Sequence, residues 1–329
     1  MYQTAKPLFF RTETSLHAGS GSDLGHIDLP IQREKHTDLP NIQSSSLKGA
    51  FRQNLEQNVK SDEDKIGVHL AFGYDSDGVD KESIVGKFFK NPEDNDYSGS
   101  LAFTDARLLL FPIKSFKGVY ALATCPMIIE KFVKELNFVC SPAVAAVPAT
   151  TKVEVSGDRI AVASDSFLVM NGKVILEEYA ITVDNTATNN ASAKTLATCL
   201  ETLLEITNQE LQNRLVVLPN DVFRDFTRLS TEVITRTKID NATGTVQSGA
   251  LFTEEYLPAE TYLYTIVATS NVFQTKAGKE KTKKDFPTLN LETDAQVMSF
   301  FKDKSRDVMQ IGGSSTLGKG IVKLFKNQL

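Results

Sequence analysis

Apolar positions along this chain fall into short blocks. Residues 7–16, PLFFRTETSL, group Leu8, Phe9 and Phe10 and then turn polar, which predicts a strand ending near His17. Residues 18–43 lose the pattern. Glycine, aspartate and proline accumulate there, and the stretch reads as a long loop, which is uncommon unless it has a task. In SSSLKGAFRQNLEQN, Leu47, Phe51 and Leu55 recur every four residues. That spacing predicts a helix with one buried stripe, capped by Ser44 or Ser45. Residues 61–97 are polar and irregular and read as an insertion. Strands are predicted over 99–112 and 116–124, followed by a helix over 126–138. Strand, loop, helix, insertion, strand, strand, helix is most of a β-α-β-β-α-β unit whose last strand comes later in the chain.

The second half is less regular. KVEVSGDRIAVA, residues 152–163, reads as a hairpin turning at Gly157-Asp158. DNTATNNASAK, residues 184–194, is polar and of low complexity and reads as a mobile loop or tip. ASAKTLATCLETLLEITNQ, overlapping its end, reads as a helix. Residues 230–270 read as strands around two turns. The lysine run KAGKEKTKKD, residues 276–285, reads as a solvated face or a track for phosphates. The chain closes on strand, glycine loop, strand: VMQI, GGSSTLGKG, IVKLF. No repeat of fixed period is present.

Composition narrows the class. Among 329 residues, 41% are hydrophobic and 23% charged, enough apolar material for a core of one large or two smaller domains. No apolar run is long enough to cross a membrane. The first fifteen residues lack a basic head with an apolar stretch, so no signal peptide is expected. Cys125, Cys140 and Cys199 have no metal-binding spacing and suit a reducing cytoplasm, as buried bystanders. The net charge of −5 argues against a generic nucleic-acid coat but allows a basic groove on an acidic body.

Residues 17–36, HAGSGSDLGHIDLPIQREKH, concentrate candidate chemistry. His17, His26 and His36 are nine and ten residues apart, which is wrong for zinc. A hard cation needs only one or two carboxylates plus phosphates, and Asp28 or Asp23 can supply one. Pro30 biases Leu29 toward extended backbone, so Asp28 sits on a constrained segment outside any helix. Two near-motifs fail. GSSTLGKG, residues 313–320, ends on Gly320 where a P-loop needs a hydroxyl, and a strand follows in place of a helix. Ser45-Ser46-Leu47-Lys48 fits S-x-x-K without the companion motifs of serine acyl-enzymes.

A basic helix face and a glycine loop remain, and they suit RNA. Lys48 and Arg52 lie one turn apart beside the apolar stripe, near the hydroxyls of Ser45 and Ser46. Such a pair can grip consecutive phosphates, or be a plain solvated face. Gly49 costs the helix about 1 kcal/mol relative to alanine, a cost that close approach of another backbone would offset. Gly312, Gly313 and Lys319 can offer backbone N–H groups and an ammonium to a phosphate, or merely make a hairpin turn.

Taken in order, HAGSGSDLGHIDLPIQREKH, PNIQSSSLKGAFR, LFTEEYLPAE and IGGSSTLGKGIVKLF resemble the RAMP superfamily of CRISPR effector proteins. Within it they are most similar to the repeated backbone subunit of the type III-B effector. The H-x-G-S-G and I-D-x-P-I-Q-R-E runs are the specific part, while the glycine loop is common to many RAMP proteins. Residues 60–100 and 140–245 carry no matching motif.

The resemblance implies an α+β fold, a ferredoxin-like (RRM-like) palm in a single RAMP domain over 1–329. Finger and thumb insertions are expected at 60–98 and 165–215. It implies a cytoplasmic subunit that stacks head to tail with its own copies along a guide RNA, beside other effector subunits. Its thumbs would splay a complementary target RNA, which is cut there at regular intervals. Asp28 would be the essential aspartate and a ligand of Mg²⁺ or Mn²⁺. His17, Tyr256 and Glu254 (in preference to Glu255) would line the same site. Ser45, Ser46, Lys48, Gly49, Arg52, Gly312, Gly313 and Lys319 would bind RNA. Two other functions compete: a non-catalytic filament subunit, and a processing ribonuclease for CRISPR precursor transcripts. The latter enzymes usually rely on a histidine and need no metal, so metal dependence separates the two cutting activities.

Overall fold

The Leu8-Phe9-Phe10 block has no polar side because the strand it forms is covered on both faces. In a computed structural model, which describes residues 2–23, 25–75, 79–90, 98–139, 153–155 and 157–329, β1 (Thr4–Thr12) is central. It pairs antiparallel with β12 (Tyr262–Thr269) and with β14 (Ile321–Phe325), setting Phe9 opposite Tyr264 and Phe325. On one face Phe9 meets Phe132 of α4 (Pro126–Val139) at 5.9 Å. Strand alternation turns Leu8 and Phe10 to the other face. There Phe51 of α1 (Ser44–Asn58), Phe103 of β3 (Leu101–Phe103) and Phe301 of α9 (Asp294–Lys304) form an aromatic cluster.

The result is a mixed α/β fold around a large sheet. Its path runs β13 (Val308–Gln310), β14, β1, β12, β4 (Ala106–Ser115), β5 (Val119–Thr124), β9 (Leu215–Val217), β6 (Arg159–Val162), β8 (Tyr179–Val183), β7 (Lys173–Leu176). Strand β2 (Asn41–Ile42) pairs with β4, and β3 with β12. Separately, β10 (Glu232–Arg236) and β11 (Phe252–Tyr256) make a two-stranded ribbon. Residues 237–251 beyond it are half-buried or exposed throughout, with Ile239, Val246 and Leu251 turned to solvent.

Several expectations meet corrections. The apolar stripe of α1 is buried at Leu47, Phe51 and Leu55 as its spacing predicts, but no serine caps it. The Ser44 N–H donates instead to Asp105 Oδ1 at 2.8 Å. Asp105 stands at the interruption between β3 and β4, where one strand was expected. The described part of 61–97 is not irregular: α2 (Asp62–Phe72) and α3 (Ile84–Phe88) lie there. Every residue of α2 from Ile66 to Phe72 is buried, which the acidic start of the helix conceals.

The 152–163 hairpin does not form among the described residues; Lys152 and Ser156 lie outside them. β6 pairs in parallel with β8 and antiparallel with β9. The 184–194 tip is the start of α5 (Ala187–Leu203), where Asn189 Nδ2 donates to Asp184 and to the Glu154 carbonyl. Short helices α6 (Glu210–Arg214) and α7 (Asn220–Leu229) follow. The lysine run is helix α8 (Lys276–Asp285). Cys140 lies outside the described residues; Cys125 is buried and Cys199 half-buried.

Candidate active site

Strand β11 sorts the two adjacent glutamates. Successive side chains on a strand point to opposite faces, so Glu254 and Tyr256 share a side and Glu255 faces the other way. Glu255 is 3% exposed and holds the IQRE run: its Oε1 accepts from Arg33 Nη2 at 2.7 Å and Thr231 Oγ1 at 2.8 Å, and its Oε2 from the Ile31 N–H at 3.0 Å. The rest of that run is equally committed. Gln32 ties Gly19 to the entry of α1, donating to the Gly19 carbonyl and accepting from the Gln43 N–H. Glu34 pairs with Lys131 and Arg107. The motif is therefore a brace that fixes the loop.

On the opposite side, Glu254 gathers a cluster. Its Oε2 accepts from the Tyr256 hydroxyl at 2.6 Å and Arg236 Nη1 at 2.7 Å; its Oε1 accepts from Ser314 Oγ at 3.2 Å and faces His17 Nε2 at 3.7 Å. Burial alone would raise the Glu254 carboxyl. The hydrogen bonds from Tyr256 and Arg236 outweigh it and hold the group below the usual carboxylate range. Burial, then the hydrogen bond to Glu254, pushes the Tyr256 phenol up. The Lys319 ammonium lies 4.9 Å from the centre of the Tyr256 ring.

His17 is wedged. Its Nδ1 lies 2.7 Å from the Glu255 carbonyl oxygen. A carbonyl only accepts, so Nδ1 carries the hydrogen and Nε2 is the nitrogen that faces Glu254. A Cβ on Gly19 would sit 2.6 Å from Nε2, and one on Gly313 3.3 Å from Cδ2. The Gly313 N–H donates to the His17 carbonyl at 2.8 Å. Gly312 has φ +85°, and its missing side chain lets the loop close on that carbonyl. Within the chain these two glycines thus make room for His17.

Asp28 adjoins the cluster through the backbone. Leu29 bridges to β11, its N–H donating to the Thr253 carbonyl and its carbonyl accepting from the Glu255 N–H. Asp28 Oδ2 then accepts from the Thr253 N–H at 2.7 Å and Thr253 Oγ1 at 2.9 Å. Those two bonds, the backbone one foremost, hold the exposed Asp28 carboxyl low. No group of three or more His, Cys, Asp and Glu disposed to hold a metal occurs among the described residues. Asp28 Oδ1, which accepts neither of those bonds from Thr253, is a single oxygen of the kind a hard cation takes when other oxygens complete its shell. His26 and His36 are exposed and lie outside the cluster.

The helix-face candidates lie elsewhere. Ser45, Ser46 and Gly49 are exposed, and a Cβ on Gly49 would meet nothing within 4 Å. Arg52 is engaged by Glu56 at 2.8 Å and by His69 Nδ1 at 3.2 Å. Burial, with Arg52 adding repulsion, lowers the Lys48 ammonium. Three residues that contact these groups are not among the sequence-predicted ones: Arg236, Ser314 and Thr253. Arg236 sits in an ordinary-looking strand with no motif around it. Thr253 precedes the E-E-Y run, and its period-2 relation to Glu255 was its only signal.

The family model of the RAMP superfamily matches residues 9–323. The chain is 31% identical over 318 residues to the CRISPR system Cmr endoribonuclease Cmr4 of Pyrococcus furiosus, covering 95% of this chain and 92% of that one. It is 23% identical to the CRISPR system CMR subunit Cmr4 of Saccharolobus solfataricus, covering 98% and 96%. Its fold matches oligomeric Cmr4 from Pyrococcus furiosus with a TM-score of 0.63 at 24% identity, over 98% of this chain and 97% of that one. It also matches a chain of the type III-B Cmr-beta complex bound to cognate target RNA, with a TM-score of 0.66 at 21% identity, over 98% and 97%. With the H-x-G-S-G, I-D-x-P-I-Q-R-E and C-terminal glycine runs folded against one another, and a family match from Phe9 to Lys323, this chain belongs to the RAMP superfamily.

Proposed function

We propose that the chain is the guide-RNA-binding backbone subunit of a type III-B CRISPR effector and an endoribonuclease acting on target RNA. The observation that carries this reading is the contact of Glu254 with His17 and Tyr256 on the same strand to which Asp28 is bonded through Thr253, in a chain 31% identical to a Cmr endoribonuclease. The subunit works with copies of itself head to tail, with a CRISPR guide RNA, a target RNA and other effector subunits, in the cytoplasm. Among the described residues no helix is long and apolar enough to cross a membrane.

The palm in this reading is ferredoxin-like. Its support is the antiparallel order β14, β1, β12, β3/β4, with α1 and α9 as the two crossover helices. Residues 60–98 and 165–215 are insertions into a single domain over 1–329. The projecting ribbon beyond Arg236, with Ile239 and Val246 paired at its stem and exposed, suits the thumb. Apolar side chains on such a tip can wedge between bases. Ser45, Ser46, Lys48, Gly49 and Arg52 face the guide, and Gly312, Gly313 and Lys319 the backbone near the cut.

In the chemistry we propose, the thumb splays one target nucleotide and brings its 2′-oxygen in line with the leaving 5′-oxygen. Asp28 accepts the 2′-OH proton as the new P–O2′ bond forms. The P–O5′ bond breaks, and His17, acting in its imidazolium form, gives the Nε2 proton to the departing oxygen. The products are a 2′,3′-cyclic phosphate and a 5′-hydroxyl. A divalent cation, Mg²⁺ or Mn²⁺ on Asp28, supplies charge stabilisation at the phosphate when bound. The test is cleavage of complementary RNA by the guide-loaded complex with Mg²⁺. Asp28→Ala should abolish cutting and keep target binding; full cutting by the variant would remove Asp28 from the site.

A further inference from the structure

The Glu254 cluster holds more positive charge than the sequence motifs account for. The Glu254 carboxylate faces the Arg236 guanidinium and His17, and the Lys319 ammonium lies over the neighbouring Tyr256 ring. Arg236 ends β10, where the ribbon leaves the body of the protein. Its hydrogen bonds to Glu254 and Ser314 both run through Nη1, and the Tyr256 hydroxyl also acts on the guanidinium. A guanidinium has five N–H donors in a rigid fork, so the Nε and Nη2 edge remains for a ligand. The side chain is 33% exposed, and its guanidinium carbon lies 5.6 Å from the centre of the Phe252 ring. A cation anchored on one side, open on the other and stacked on a ring is preorganised to receive an anion.

We propose that Arg236 is a further catalytic residue of the target-RNA site. It binds a non-bridging oxygen of the scissile phosphate through the free edge of its fork. There it stabilises the charge that builds as the 2′-oxygen attacks. This assignment rests on the endoribonuclease reading above. Arg236 keeps all its protons through the step; Asp28 and His17 handle the proton traffic, and the bonds made and broken are those already given. Glu254 is then a positioning residue: it aims the guanidinium and is itself fully engaged by hydroxyls and cations.

The experiment is single-turnover cleavage by the guide-loaded complex. The substrates are ordinary target RNA and target RNA with sulfur at either non-bridging oxygen of the scissile phosphate. Arg236→Ala should keep filament assembly and target affinity and lose about 100-fold in rate, the usual cost of one donor to a developing charge. Arg236→Lys should recover part of that rate. The slowing caused by sulfur at one of the two positions should shrink in Arg236→Ala, because the contact it disturbs is already gone. Wild-type rate in Arg236→Ala overturns the assignment, and so does a slow variant that retains the full sulfur effect. If Arg236→Ala does not assemble, the sulfur comparison passes to Arg236→Lys, which keeps the charge and loses the fork. A wild-type complex that does not cut overturns the endoribonuclease reading itself. A wild-type complex that cuts beside an equally fast Arg236→Ala overturns the arginine alone.

Discussion

Nδ1 of His17 sits 2.7 Å from the carbonyl oxygen of Glu255, so the backbone of β11 orients the imidazole and turns Nε2 toward Glu254. One glutamate's main chain orients the histidine, while its neighbour's side chain, Glu254, faces the free nitrogen at 3.7 Å. The ring also depends on bare space at Gly19, where a Cβ would lie 2.6 Å from Nε2.

Gly19→Ala should therefore act like a histidine variant. Cleavage of target RNA by the guide-loaded complex should fall on the order of 100-fold, the scale of a misplaced general acid. Guide binding should be unchanged. Cleavage within twofold of wild type would mean that the imidazole is free to move aside without cost.

The two glutamates of β11 should separate cleanly by assay. Glu255→Ala strands Arg33, whose side chain is only 17% exposed, and removes the acceptor of the Ile31 N–H. Breaking such a buried pair costs about 3 kcal/mol, read as a lower urea midpoint at unchanged slope. Glu254→Gln should unfold close to wild type and cut slowly. The reverse pattern would exchange their roles.

His69 should impose a pH dependence on stability. Burial, with repulsion from Arg52, lowers its pKa from 6.5 to about 4. The unfolded chain thus binds a proton that the folded one refuses, and stability falls as pH drops from 6.5 toward 4. Between pH 7 and pH 5 the loss from this group is about 2 kcal/mol. Urea unfolding at both pH values checks it: His69→Leu should flatten the difference, and an equally steep His69→Leu would assign the slope to other groups.

Sequence reading reached what depends on local period or contiguous motif. Leu47, Phe51 and Leu55 announced α1, and the pairing of β13 with β14 followed from short apolar runs around glycines. The helix α2 was hidden because Asp62, Glu63, Asp64 and Lys65 mask a following run buried on every side. Of the candidate site, His17, Asp28, Glu254 and Tyr256 were proposed through motif resemblance. Arg236 was not, because it reaches Glu254 across the ribbon register, in which Ile234 opposes Glu254. The three histidines of residues 17–36 were conspicuous, yet only His17 is buried in the cluster. The quiet IQRE run carries the framework that holds the loop.

Strand β4 is shared between two neighbourhoods. Its first half, through Leu110, pairs with β12 and β2; its second half, from Phe111, pairs with β5, and Ser115 with β7. One continuous beam thus runs from beneath α1 into the middle of the chain, with no joint between. A nick in the loops beyond Ser115 would not release the middle as a separate piece. A fragment lacking it would present half a strand as a bare edge, the kind of surface that recruits another chain.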